Sequence, residues 1–222
     1  MTKDLTTGKI MPILVKFTIP LVLGNLFQQM YNTADSLIVG NFLGSNALAA
    51  VSSSGSLIFL LIGFLSGIAI GAGVVISRYF GARDDENVQI AIHTTAAFGL
   101  VAGVLMALVG VLLSPQILVW MGTPDVVMGE SLTYLQIYFM GSLGSVMYNI
   151  FVGTLQAMGD SKHPLYYLIA SSIVNVVLDI LFIAVFHAGV GGAALATIIS
   201  QFLSAFLCMF RLMKNKGCEK LY

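Results

Sequence analysis

Residues 165–186 read LYYLIASSIVNVVLDILFIAVF, an apolar run long enough to cross a bilayer, since about 20 such residues in a helix span the hydrocarbon core. Two polar residues interrupt it near the middle, Asn175 and Asp179. At about 100° per residue, Ser172, Asn175 and Asp179 share one face, opposite a surface of Leu, Ile, Val and Phe. An ionised Asp at a helix centre costs roughly 3 kcal/mol on insertion scales, so such a group faces a cavity, pairs with a partner, or binds an ion or proton. The rest of the chain decides among these.

Of the 222 residues, 58% are hydrophobic and 9% charged, and the mean hydropathy is +0.94. Soluble domains carry about 25% charged residues, so this composition excludes them. The reading is an all-α polytopic membrane protein, with lipid as its surroundings and, at zero formal net charge, no nucleic-acid partner. The apolar run that follows Lys3, Asp4 and Lys9 has no small-residue cleavage site and is too long for a signal-peptide core, so it is expected to stay as the first span. Cys208 and Cys218 show neither paired nor metal-binding spacing and are expected to be structural.

Six apolar runs of spanning length follow one another, at 13–39, 51–76, 88–113, 132–152, 165–186 and 190–209, predicting a six-transmembrane-helix bundle in a single domain, 1–222. Six crossings return the chain to its starting side, and all ten Lys and Arg then fall on that side. They are Lys3, Lys9, Lys16, Arg78, Arg83, Lys162, Arg211, Lys214, Lys216 and Lys220. By the positive-inside rule both termini are expected in the cytoplasm, with the protein multi-pass in the plasma (inner) membrane and Trp120 an interfacial anchor on the far side.

Asp35 and Asp179 are the acids left within spans. No Lys or Arg lies deep in any span, so neither can be neutralised by a salt bridge inside this chain. Around Asp35 the first span carries Asn25, Gln28 and Asn32 at helical spacing, a polar stripe expected to line water or substrate. At 1.5 Å per residue Asp35 lies about 28 Å from Lys16, Asp179 about 25 Å from Lys162, and Thr197 about 21 Å from Arg211, so the three reach one layer. Pro20 removes a hydrogen bond within the first span and is a candidate hinge. Gly63, Gly67 and Gly71 in span two, and Gly99 and Gly103 in span three, predict close helix packing. Tyr134, Tyr138, Gly141 and Ser145, with Asn149 a turn further, suit an inward wall. His93, His163 and His187 form no acid–base or metal constellation with the buried acids, so no enzyme is expected.

Four segments carry a family resemblance: NTADSLIVGNFLGSNALAA at 32–50, ISRYFGA at 76–82, LQAMGDSKHP at 155–164 and NVVLDILFI at 175–183. In order and placement they resemble the multidrug and toxic compound extrusion (MATE) family of cation-coupled antiporters, in particular its bacterial DNA-damage-inducible branch. Family members have twelve helices in two six-helix lobes, and this sequence is similar to the amino-terminal lobe. The resemblance implies an ion site at Asp35, Asn175, Asp179 and Thr197, with Tyr134 and Asn149 as nearby polar lining and Pro20 where the first helix bends on protonation. It implies H⁺ or Na⁺ as the coupling ion, Na⁺ being the candidate metal at those four residues, with no other cofactor. The partners implied are a small organic, often cationic, xenobiotic as exported substrate and a second six-helix lobe, covalent or by association. Ile180 stands where many members have a proline after the span-five acid, so no helix break is implied there. Two alternatives are a flippase of lipid-linked precursors, whose relatives line the cavity with cationic residues absent here, and a non-transporting scaffold or assembly partner whose acids pair with another subunit.

Overall fold

A computed structural model describes residues 10–214; Lys3, Lys9, Lys216, Cys218 and Lys220 lie outside them. The chain forms α1 (Ile10–Leu43), α2 (Ser45–Gly81), α3 (Asp85–Trp120), α4 (Asp125–Met140), α5 (Ser142–Ala157), α6 (Lys162–Asp179), a π-helical turn (Ile180–Val185) and α7 (Gly189–Met213). Five of the crossings are single apolar helices once the π turn is joined to α6, and the sixth is the bent pair α4–α5. The chain is an integral membrane protein.

The long helices outrun the apolar runs. The 34 residues of α1 extend about 51 Å at 1.5 Å each, well beyond a hydrocarbon core of about 30 Å. Only Gly44 separates α1 from α2, and its φ of 89° is the left-handed conformation that glycine adopts without a Cβ penalty. Asp84 starts α3 by accepting from the Asn87 N–H at 3.2 Å, with Asp85 and Glu86 in the first turn suiting the helix dipole. Helix α3 continues through Pro115 to Trp120, which is 74% exposed at its end.

Helices α5 and α7 lie at the centre. Helix α5 packs on α2, α3 and α7, while α7 also packs on α4 and α6; α1 lies at the edge against α2 and α6. One apolar cluster, including Ile76, Ile92, Leu155, Cys208 and Leu212, fills the end where Arg78, Lys162 and Arg211 gather, the basic end. A second, built on Val39, Val51, Tyr134, Ile183 and Val190, fills the opposite half. The outer surface is apolar, with Phe59, Phe64, Leu105 and Leu112 exposed, as suits a bundle whose solvent is lipid.

Two expectations change. Gly99 and Gly103 do admit neighbours, since a Cβ there would collide with Ile150 and Leu143 of α5, but a Cβ on Gly63, Gly67 or Gly71 would face open space among the described residues. Glycine spacing marks a smooth helix face, not a partner. The fourth span is also not one helix, for α4 and α5 meet at an angle of 50° at Gly141. A Cβ on Gly141 would overlap the Ile198 side chain of α7, and the Ser142 hydroxyl donates to the Gly103 carbonyl at 3.2 Å. Packing against two neighbours thus fixes a bend that local hydropathy does not announce.

Candidate functional site

Helix α6 brings Asn175 and Asp179 inward one turn apart, both fully buried. With its amide oriented to match its neighbours, Asn175 Nδ2 donates to Asp179 Oδ2 at 3.0 Å, and Asn175 Oδ1 accepts from the backbone N–H of Thr197 at 3.2 Å. One side chain therefore fastens the acid to α7. From the edge helix, Asp35 meets Asp179 carboxyl to carboxyl and is 8% exposed. The four residues Asp35, Asn175, Asp179 and Thr197 thus come together from three helices.

Their bonding is incomplete. Asp35 Oδ1, Asp179 Oδ1 and Thr197 Oγ1 are buried with no hydrogen-bond partner among the described residues. No Lys or Arg among those residues pairs with either acid; the ion pairs of Arg211 and His163 go to Asp160 at the basic end. Nor do three or more His, Cys, Asp or Glu side chains gather anywhere among them in a way that could hold a metal. The donors at this point are two carboxylates, an amide and a hydroxyl. Two carboxylates set against each other in a dry interior need a proton or a cation between them, and hard cations take such oxygen ligands.

Aromatic groups close the site. Tyr134 is 5% exposed and lies near both acids and Tyr31, while the Tyr31 hydroxyl lies beside Thr197. Tyr134 and Tyr138 stack with ring centroids 6.4 Å apart. Tyr31 was not among the residues that the polar stripe selected, yet it stands four residues before Asp35 and so on the same helix face. Of the stripe itself, Gln28 is half-buried beside Tyr31, whereas Asn25 and Asn32 remain exposed, Asn32 bonding Gln29 at 3.2 Å. Asn149 turns to α2 and accepts from the Ser66 hydroxyl at 3.3 Å. Pro20 is buried within a continuous α1.

The α-helical ladder stops at Asp179 without a proline. The π turn begins at Ile180, and its wider bonding includes Phe186 N–H to Leu181 carbonyl at 3.0 Å. Such turns appear mostly as single interruptions of α-helices, frequently at functional sites.

The MatE family model matches residues 20–181, which contain both acids. The chain belongs to the MATE family. It is 36% identical to the probable multidrug resistance protein YoeA of Bacillus subtilis over 90% of this chain and 44% of that protein. It is 33% identical to the probable multidrug resistance protein YpnP of the same organism, over 96% of this chain and 48% of that one. Among solved structures, a crystal structure of a MATE in the bent conformation superposes with a TM-score of 0.87 at 27% identity, covering 93% of this chain and 46% of the other. The chain therefore spans about half the length of the MATE relatives it matches.

Proposed function

We propose that this chain is the amino-terminal half of a cation-coupled antiporter that exports organic, often cationic, xenobiotics, with H⁺ or Na⁺ occupying the Asp35–Asp179 pair. The observation that carries the reading is the meeting of those two carboxyls with no Lys or Arg partner among the described residues. A scaffold has no use for such an arrangement, because neutral residues would fill the space at lower cost. The multidrug resistance relatives support the substrate class.

In this reading the basic end faces the cytoplasm. A second lobe, covalent or associated, covers α1, where Asn25 and Asn32 would line the shared cavity. Cation binding removes charge from the Asp35–Asp179 pair and lets α1 repack about Pro20, so that two states of the helix differ in affinity for the ion.

The test is gradient-driven efflux in proteoliposomes by the transport-competent assembly containing this chain. Asp35→Asn and Asp179→Asn keep the shape and remove the charge. Each is expected to insert and fold yet lose efflux driven by a cation gradient. Normal efflux with an unchanged ion requirement in the double variant sinks the proposal.

A further inference from the structure

Three polar ladders continue from the acid pair toward the basic end. On α1 they run from Asp35 to Tyr31 and Gln28; on α6 from Asp179 to Asn175, Ser172 and Ser171; on α7 from Thr197 to Ser200, Gln201 and Ser204. Apart from the adjacent pairs Ser171–Ser172 and Ser200–Gln201, each step is three or four residues, the spacing that keeps side chains on one face of a helix. They enclose a cleft of about 10 Å³ whose upper rim includes Asn175 and whose far wall includes Tyr148 of α5. That is room for about one water.

The bonding of the cleft serines is one-sided. Ser171 donates its hydroxyl proton to the Leu168 carbonyl at 3.0 Å, Ser200 to Ala196 at 2.9 Å, and Ser204 to Ser200 at 3.0 Å. These serines are 3–5% exposed. Each has spent its only proton on its own helix and keeps lone pairs that can accept. Gln201 Oε1 is likewise buried with no partner among the described residues. Tyr31, Tyr148, Gln28 and Gln201 bring donors as well as oxygens to the same lining, so the free serine lone pairs and the Gln201 oxygen can hold a small cation beside groups that hydrogen-bond its water. Asn175 joins the two regions, because its amide binds Asp179 and Thr197 above while it lines the cleft below. Beyond Tyr148 lies the apolar cluster of the basic end.

We propose that this cleft, with its serine and amide oxygens, is the path by which the coupling cation leaves the acid pair toward the basic end of the lobe. The inference rests on the acid pair being the coupling site. Serine and amide oxygens replace part of the ion's hydration one turn at a time, and the apolar cluster beyond stops a continuous leak.

The experiment uses the transport-competent assembly containing this chain, in proteoliposomes, with H⁺ and Na⁺ gradients applied separately. Gln201→Leu and Ser204→Val remove cleft oxygens without touching the acids. At saturating cation each is expected to lower turnover about tenfold, equivalent to about 1.4 kcal/mol of barrier, without raising the cation concentration for half-maximal rate. Ser204→Thr retains the hydroxyl and is expected to stay within about threefold of the unsubstituted rate, less than 1 kcal/mol. The arm that shows the defect identifies the ion as H⁺ or Na⁺. Should a bulky variant fail to fold, the Ser171→Ala, Ser204→Ala pair removes two cleft hydroxyls without added volume and is read the same way. Unsubstituted turnover in the cleft variants, or equal damage from Ser204→Thr and Ser204→Val, overturns the path. If the Asp35→Asn, Asp179→Asn assembly has lost coupling while the cleft variants are normal, only the path fails; if that double variant remains coupled, the site fails and the path with it.

Discussion

Asp160 Oδ2 accepts from Arg211 Nε across 3.4 Å, fastening the turn between α5 and α6 to the last turn of α7. His163 completes the arrangement, with its Nδ1 2.8 Å from Asp160 Oδ1. The central helices are thereby tied together at the end of the bundle opposite the acid pair.

This tie has a pH signature. Burial works against the Asp160 charge, but the hydrogen bonds from His163 and the nearby Arg211 outweigh it and hold the carboxyl below its ordinary range. A carboxyl lowered on folding contributes stability above its unfolded pKa, about 3.9 for Asp, and loses it as the pH falls through the lower folded value. The thermal midpoint in detergent should therefore decline below about pH 4. Asp160→Asn should cost about 1.5–3 kcal/mol at neutral pH, the range for hydrogen bonds to charged groups, and show a shallower decline. Equal stability of the two proteins at pH 7 would contradict this account.

A graded response is expected around the acids. Asn175 holds two bonds, to Asp179 and to Thr197, whereas Thr197 offers one hydroxyl. In cation titrations of efflux, Asn175→Ala should weaken ion dependence more than Thr197→Ala, and both less than either Asp→Asn change. Tyr31→Phe, which removes the hydroxyl beside Thr197, should raise the half-saturating cation concentration by up to about tenfold, the value of roughly one hydrogen bond. A reversed order for Asn175 and Thr197 would show that the amide is only structural.

Gly141 and Ile198 should behave as a coupled pair. Gly141→Ala pushes a methyl into Ile198, and overpacking of this kind costs about 1–3 kcal/mol. Ile198→Ala should relieve part of that cost, so the double variant is expected to be more stable than additivity allows. Additive losses in the detergent melting midpoint would place the constraint elsewhere.

Orientation is open to direct labelling. Ser45, Asp125 and Asp85 are exposed at helix ends, so single cysteines there, in a background with Cys208 and Cys218 replaced, should be accessible. An impermeant reagent added outside cells should reach positions 45 and 125 and spare 85. Labelling of position 85 from outside would invert the topology that the Lys and Arg distribution predicts.

Hydropathy made the six crossings legible, and the rarity of buried charge singled out Asp35 and Asp179, because those signals are local in the chain. The partners of a helix face are not local. Asn25 and Asn32 share a stripe with Asp35, but α1 packs on α6 along the side that buries Asp35, half-buries Tyr31 and leaves the two amides exposed. Tyr31 escapes a hydropathy reading because an aromatic ring counts as apolar although its hydroxyl joins the site. Ser200, Gln201 and Ser204 follow Thr197 at plain helical spacing and were available to the same reasoning. The bend at Gly141 was not, since it depends on α3 and α7.

The π turn after Asp179 places more chain in each loop of helix than an α-helix does. Residues 180–185 therefore carry surplus length between fixed ends, and the face read off by α-helical spacing drifts out of register past Asp179. Loss of one residue there can be absorbed by rewinding to α geometry, with the acid left in place below and the chain entering α7 rotated above. The position of Asp179 is in this way insulated from changes in length on the far side of it, a tolerance that no equivalent deletion between Ser171 and Asp179 would enjoy.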